Sequence, residues 1–276
     1  MVRLVDRFPL LLQAFGGHVD AMVAPGATPS EPRLGFMLFV ASGFMGTASL
    51  LALALRSDGA VSLRAGAGDW RRLVVGGPYA RLLLVTFLTY TFLQGPLVMF
   101  PMFVRSLGGG LDVVSRMWVW MLAFEIPLLA GVAAAPARIG ARELIGIGIA
   151  ADATRWLVCA FATNLSVLSV VQVLHGLAVA GFVVGNALYV ESVVPGRLRS
   201  TAQGLVYMVG VSLGGIVSSA GSGLLLDAFG PRAPALVGGA GAALLAMALP
   251  WLLPKVARHA HDDLVAMEAV DERPAA

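Results

Sequence analysis

Residues 174–230 read LHGLAVAGFVVGNALYVESVVPGRLRSTAQGLVYMVGVSLGGIVSSAGSGLLLDAFG, two long apolar segments on either side of a short basic turn. Each apolar segment is long enough to cross a bilayer as a helix, which takes about 20 residues. Glycine is frequent in the second segment, and small residues let helices pack closely inside a membrane. The first segment carries His175, and an ionisable group at membrane depth is costly enough to suggest a function.

The composition extends this interpretation to the whole chain of 276 residues, of which 58% are hydrophobic and 13% are charged. Soluble domains average about 25% charged residues, so we predict an all-α, polytopic transmembrane helix bundle. The net charge of +3 is small and the arginines are scattered through short loops, which argues against nucleic acid as a partner. The single cysteine, Cys159, excludes an internal disulfide. The lipid bilayer is therefore the expected surrounding, and no cofactor is expected.

Hydropathy predicts seven spans that alternate with polar segments. Residues 1–33 are expected to form an irregular or amphipathic lead-in, and residues 56–78 the longest internal loop. Residues 79–254 are expected to form a six-helix bundle, followed by a mobile tail over 255–276. Gly95-Pro96 and Pro101 predict a kinked second helix. The predicted spans are residues 34–55, 79–104, 116–134, 144–162, 167–190, 202–226 and 233–253.

Arginine and lysine residues concentrate in alternate loops, which fixes the expected orientation. Residues 56–81, 138–142, 197–199 and 255–258 together hold most of the basic residues, whereas the loops on the other side hold few. Positive charge marks the cytoplasmic side of a membrane protein. We therefore predict a multi-pass protein of the inner membrane with a cytoplasmic C-terminus.

The motifs LHG, P-x-R-x-R-S-T-A-Q-G and L-x-D-x-F-G resemble helices ten and eleven of the major facilitator superfamily. The resemblance is closest to the group that contains lactose permease, phenylpropionate permeases and nucleoside–proton symporters. It implies that residues 34–55 are helix six and that 56–78 are the central cytoplasmic loop. It also implies that 79–254 are helices seven to twelve, the C-terminal half, in a truncated, split or mis-started chain that lacks an N-terminal six-helix half. A seven-helix protein of another family is the alternative. The residues that carry the resemblance are His175, Pro195, Arg199, Gln203, Gly204, Gly214, Asp227 and Gly230.

The loop APARIGAREL at residues 135–144 resembles a degraded form of the superfamily's cytoplasmic motif G-x-x-x-D-R-x-G-R-R. Arg138, Gly140 and Arg142 fit the motif, but Ala137 stands where the motif has an acidic residue. The alternative interpretation is a tight basic turn that follows the distribution of positive charge.

Four ionisable side chains lie at membrane depth in the predicted spans. Glu125 and Arg155 are each about 13 Å from the outer end of their spans and His175 about 12 Å, at 1.5 Å of helix rise per residue. Asp152 lies one turn before Arg155 on the same face. Such groups should point inward and partly neutralise one another. The alternatives are a structural ion pair for Asp152 and Arg155, a hydrogen-bonded acid that only joins helices for Glu125, and a satisfied core residue for His175.

Glu125, Arg155 and His175 match positions that the resemblance assigns to substrate binding and proton coupling in the central cavity. The glutamate that follows the histidine in the permease group is replaced here by Ala178, so Glu125 or the absent half would have to substitute for it. Neutral polar residues extend the candidate cavity wall. They are Gln172 and Asn186 on the face of His175 and, as weak signals, Tyr90 and Gln94 on the second span and Gln203 and Tyr207 on the sixth.

These features together predict a secondary active transporter, by proton symport, of a small organic solute that binds near mid-membrane. The alternative is a non-transporting membrane protein, either a remnant or one subunit of a two-chain transporter. An enzyme is not expected, because Asp152 is the only aspartate within a predicted span. Gly210–Gly214 spells the hydrolase pattern G-x-S-x-G but lies inside an apolar helix, where helix packing explains it better. A metal site is not expected at the tail residues His259, His261, Asp262 and Asp263.

Overall fold

The structure is a computed structural model, and it describes residues 42–47, 49–51, 77–134 and 139–255. The chain divides into two units, residues 1–62 and 63–276. In the first unit the described residues are helical, and the Thr47 hydroxyl donates to the Gly43 carbonyl oxygen at 2.8 Å. The predicted lead-in at 1–33, most of the predicted loop at 56–78 and nearly all of the predicted tail lie outside the described residues.

In the second unit, the regular secondary structure of the described residues is helical throughout. A 3₁₀ turn, Gly196–Leu198, connects α5 to α6, and wider π-helical turns over Tyr207–Gly214 join α6 to α7 without a break. The helices are α1 (Gly77–Ser106), α2 (Leu111–Ala134), α3 (Ala141–Phe161), α4 (Leu165–Val171), α5 (Val173–Val193), α6 (Arg199–Val206), α7 (Gly215–Phe229) and α8 (Ala233–Leu252).

Among the described residues, six helical stretches are long and apolar enough to cross a membrane. They confirm the all-α, polytopic class and agree with the last six predicted spans to within a few residues. The prolines at positions 96 and 101 lie inside α1, which continues through both of them. Asp112 and Asp227, which the sequence placed outside the spans, lie in the first turn of α2 and near the end of α7.

Helix α3 packs between α5 and α8, and α2 lies against the outer side of α5. The contact of α3 with α5 depends on Gly148 and Gly181. A Cβ on Gly181 would lie 2.6 Å from Gly148 Cα and 2.7 Å from the Leu144 carbonyl oxygen. One turn along, a Cβ on Gly185 would lie 2.8 Å from Ile145 Cγ1. The Gly181–Gly185 pair is therefore a helix-packing motif, as its spacing predicts.

The pattern G-x-S-x-G also serves helix packing. A Cβ on Gly210 would collide with Thr86 Cγ2, and one on Gly214 would lie 2.8 Å from the Phe87 carbonyl oxygen. Both glycines thus hold the π-helical turns against α1, while Ser212 between them is exposed. A hydrolase nucleophile would instead stand on a sharp turn from a strand into a helix.

Several contacts join the helices at the end that carries most of the basic residues. The Arg199 Nη2 and Nε groups donate to the carbonyl oxygens of Glu191 and Val194, at 3.1 and 3.3 Å, and so cap the end of α5. The Tyr79 hydroxyl donates to the Ala202 carbonyl oxygen at 2.8 Å, which links α1 to α6.

The same end holds an ion pair between the start of α3 and the segment after α8. Glu143 lies 2.9 Å from the Lys255 ammonium group and 3.3 Å from the Arg142 guanidinium. Nearby, the Tyr189 hydroxyl donates to the Pro254 carbonyl oxygen at 3.1 Å. Glu143, six positions after Ala137, thus makes an ion pair within the stretch at 135–144 that resembles the superfamily motif.

Candidate functional site

The four ionisable residues predicted at membrane depth lie in one continuous chain of contacts. Arg155 Nη1 contacts both its helix neighbour Asp152, with Oδ1 at 3.8 Å, and the Nδ1 atom of His175 on α5. His175 Nε2 in turn lies 3.6 Å from Glu125 Oε2 on α2. The order Asp152–Arg155–His175–Glu125 therefore crosses three helices.

The close approach of α2 to α5 positions Glu125 beside His175. Gly176 follows the histidine, and a Cβ at this position would lie 2.8 Å from Glu125 Cα and 3.0 Å from Glu125 N. Only a residue without a side chain permits that approach of the two backbones. Gly176 is the final letter of the LHG motif, so its place in the sequence marked the site, although its role as a spacer was not predicted.

The contact with Arg155 fixes the tautomer of a neutral His175. A guanidinium group has donors only, so the Nδ1 atom that it contacts must accept. The ring proton is then on Nε2, which points toward the Glu125 carboxylate. Their 3.6 Å separation is longer than a hydrogen bond. His175 therefore lies between the Arg155 guanidinium and the Glu125 carboxyl group and contacts both.

The buried end of the cluster has more polar atoms than partners. The Arg155 side chain is fully buried and that of Asp152 is 2% exposed. Within the described part of the chain, Arg155 Nε and Nη2, one Asp152 oxygen and Trp156 Nε1 make no hydrogen bond. The Arg155 guanidinium carbon lies 4.0 Å from the centre of the Trp156 ring, a cation–π contact that the sequence pattern did not predict. The spare N–H groups of this buried arginine can donate to an oxygen atom of a further ligand.

The other end of the cluster is more open. The Glu125 side chain is 21% exposed, whereas that of His175 is 9% exposed. Helix α2 is the least buried of the candidate spans. A group at Glu125 can therefore be reached from outside the bundle, while Arg155 and Asp152 cannot.

Gln172 does not join this cluster through its side chain. Its amide donates to the Cys159 sulfur at 3.9 Å, and the residue is 1% exposed. It lies between α4 and α5, where the predicted fifth span divides into two helices. The position of Gln172 fits a buried polar contact between α3 and the α4–α5 junction, and its role at a cavity wall stays a prediction.

Tyr90 and Asn186 form a second group, together with Phe182, Gln203 and Tyr207. These residues line a small cavity of about 20 Å³ between α1, α5 and α6. The Tyr90 and Phe182 rings have centres 6.2 Å apart. Gln203 and Tyr207, which the sequence singled out only weakly, thus lie beside Tyr90 and Asn186. Their spacing along the chain could not reveal this, because it depends on how helices pair.

Gln94 lies one turn beyond Tyr90 on α1 and is not among the cavity residues. A Cβ on Gly215 of α7 would lie 3.4 Å from Gln94 Cγ, so this side chain packs against the glycine-rich helix. In the described ranges, no group of three His, Cys, Asp or Glu residues could hold a metal ion. The tail residues His259, His261, Asp262 and Asp263 lie outside those ranges.

Comparison with known proteins identifies the family to which this helix bundle belongs. Residues 36–234 match the model of the MFS_1 like family. The chain belongs to this family of the major facilitator superfamily. The predicted superfamily is thereby confirmed, and the chain is a multi-pass membrane protein of a transporter family. No solved structure matches the chain.

Two curated permeases are similar to this member of the MFS_1 like family. A maltose permease of Geobacillus stearothermophilus is 28% identical over 160 residues, which are 58% of this chain and 40% of the permease. A sucrose permease of Escherichia coli is 29% identical over 133 residues, which are 47% of this chain and 32% of the permease. The alignments thus span less than half the length of these relatives. Both relatives are named as permeases and not as enzymes.

Proposed function

We propose that this chain forms one six-helix half, the C-terminal one, of a secondary active transporter for a small neutral solute of the sugar type. The family match and the names of the two permeases support the class of transporter and of solute. The observation that carries the proposal is the buried contact chain from Asp152 to Glu125 across three helices. Such a chain is costly to place in a membrane unless it faces a substrate pathway.

Proton symport is the coupling that this arrangement favours. Glu125 is partly open, and its neighbour His175 presents an N–H group to it. The N–H lies 3.6 Å from the carboxylate oxygen, so a closer approach of α2 to α5 would bring it within hydrogen-bond distance and favour the ionised acid. Rocking of the two halves would change the separation of α2 and α5, and this would change the proton affinity of Glu125.

A second set of six helices would complete the transport pathway as the partner of this half, in the same polypeptide or in another. The exposed fraction of Glu125 and the open face of α2 support this, because a carboxyl group facing lipid is costly. The substrate would then bind at mid-membrane between two halves. We place the protein in the inner membrane, with its C-terminus in the cytoplasm as the distribution of basic residues predicts.

The test is uptake of radiolabelled maltose and sucrose by cells that express the complete transporter, with its second set of six helices, carrying the Glu125→Gln substitution. Glutamine keeps the shape of the protonated acid but cannot ionise. We expect accumulation against a gradient to be abolished, while exchange of sugar down its gradient continues. Glu191→Gln is the matched control, since Glu191 is exposed at the end of α5 and its carbonyl contact to Arg199 survives. Undiminished accumulation by Glu125→Gln would contradict the proposed coupling.

A further inference from the structure

The second polar group lies well away from the charged cluster. His175 and Asn186 are eleven residues apart on α5, which places them about 16 Å apart along the helix axis. The cleft that contains Asn186 is defined by Tyr90, Phe182, Asn186, Gln203 and Tyr207, and is called the amide–phenol cleft below. It has its own cavity and its own set of side chains.

The polar side chains of the amide–phenol cleft lack partners. Asn186 is 9% exposed, and Gln203 is half-buried. The Tyr90 and Tyr207 hydroxyls and the Asn186 and Gln203 amides make no hydrogen bond to another residue within 77–134 or 139–255. Asn186 is the buried member of this set, and a buried amide is normally hydrogen-bonded, so its side chain is suited to a bound ligand or water.

The size of the cavity defines how much of a ligand it can hold. A volume of about 20 Å³ is enough for one water-sized group, since a single water needs roughly 10–15 Å³ by this measure. A whole sugar ring does not fit inside. One hydroxyl group does, and the ring that carries it can lie against Tyr207, which is 56% exposed at the rim.

The chemistry of the amide–phenol cleft selects against charge and for hydroxyl groups. The residues that line the cavity carry no formal charge, so nothing there balances a carboxylate or an ammonium group. Amides and phenols both donate and accept, which matches the hydroxyl group of an alcohol. Aromatic walls with a few placed polar groups are typical of sites for small ligands.

We infer that the amide–phenol cleft binds one hydroxyl group of a neutral polyhydroxy ligand, with the ring of a saccharide resting on Tyr207. This rests on the proposed function and assigns part of the solute pathway, between mid-membrane and the end with Arg199, to α1, α5, α6 and the π-helical turns. The charged cluster then acts on the proton and the cleft on the solute.

The test measures binding of maltose, sucrose, uridine and benzoate to the purified chain in lipid nanodiscs. We expect the two sugars to bind, and benzoate not to bind. Tyr207→Phe removes one hydroxyl and should weaken sugar binding about 2- to 10-fold, the effect of one lost neutral hydrogen bond. Asn186→Leu should weaken it at least as much. Tyr189→Phe is the matched control, since its hydroxyl contacts Pro254 outside the cleft.

The outcomes separate this inference from the proposed function. Sugar binding that is equal in Tyr207→Phe, Asn186→Leu and the unaltered chain overturns the cleft as the site, while leaving sugar transport intact. Binding of uridine or benzoate alone overturns the neutral saccharide as the ligand. Binding of none of the four probes also overturns the inference, and uptake by cells then judges the proposed function by itself. Thermal unfolding of each variant checks that a weaker affinity does not come from a loss of folded protein.

Discussion

Arg155 has more hydrogen-bond donors than its surroundings use. It is fully buried, yet only Nη1 meets a polar partner, and Nε and Nη2 have none among the residues that the structure describes. Asp152 is the single carboxylate within ion-pair distance of the guanidinium in that part of the chain. The charge of Arg155 is therefore stabilised mainly by Asp152 on the same helix and by the face of the Trp156 ring.

This dependence predicts a large loss of stability for Asp152→Asn. Removing one partner leaves an uncompensated buried charge, which lowers the free energy of unfolding by about 3–5 kcal/mol in buried pairs. The double variant Asp152→Asn/Arg155→Gln should recover most of that loss, because the orphaned charge is gone. Thermal unfolding in detergent measures both. Thr154→Val is the control on the same helix, since Thr154 is exposed and bonds only the Ala150 carbonyl oxygen. A stable Asp152→Asn variant would show that the pair contributes little.

The candidate site shows which residues a sequence can bring together and which it cannot. Helical spacing paired Asp152 with Arg155, and equal depth placed Glu125, Arg155 and His175 in one layer. Both arguments need only the rise of a helix. The sequence could not predict the neighbours of Gln172 and Asn186, because these depend on how the helices rotate and pair. The same holds for Trp156, which reads as an ordinary apolar residue.

At the scale of helices, close glycine contacts set the positions of the candidate site residues. Gly181 and Gly148 bring α3 against α5, and Gly176 brings α2 against α5. These contacts determine where Arg155 and Glu125 stand relative to His175. The glycine spacing was readable from the sequence as a packing signal, but the partner helix was not. The division of the fifth span at Gln172 and the π-helical turns over Tyr207–Gly214 had no local signal.

The glycine contacts predict opposite effects for two Gly→Ala changes. Gly181→Ala places a methyl group 2.6 Å from Gly148 Cα, and since backbone cannot yield as a side chain does, we expect a loss of about 1–3 kcal/mol in the free energy of unfolding. Gly221→Ala meets nothing within 4 Å, and in a helix it should gain about 0.5–1 kcal/mol. Chemical unfolding compares the pair. Equal stability of the two variants would contradict the importance of the α3–α5 contact.

At the scale of the whole molecule, the two polar groups lie at different depths along the six-helix bundle. The charged cluster lies deep in α2, α3 and α5, and the amide–phenol cleft lies nearer the end that carries Arg199 and Lys255. The six later spans could be predicted from hydropathy alone, because the membrane requires long apolar segments that satisfy their own backbone hydrogen bonds as helices. The sidedness of the bundle depends on charge outside the membrane and is open to direct measurement.

The distribution of charge predicts which end of the bundle faces the cytoplasm. Positive charge accumulates at the end of α5 and the start of α6, so this end should face the cytoplasm. In a Cys159→Ser background, Thr201→Cys at this end and Leu111→Cys at the other end supply single thiols at exposed positions. A membrane-impermeant maleimide added to intact cells should label Leu111→Cys and leave Thr201→Cys unlabelled until the membrane is opened. Each variant serves as the control for the other, because both thiols should react once the cells are lysed. Labelling of Thr201→Cys alone in intact cells would invert the bundle, and with it the side from which the amide–phenol cleft is entered.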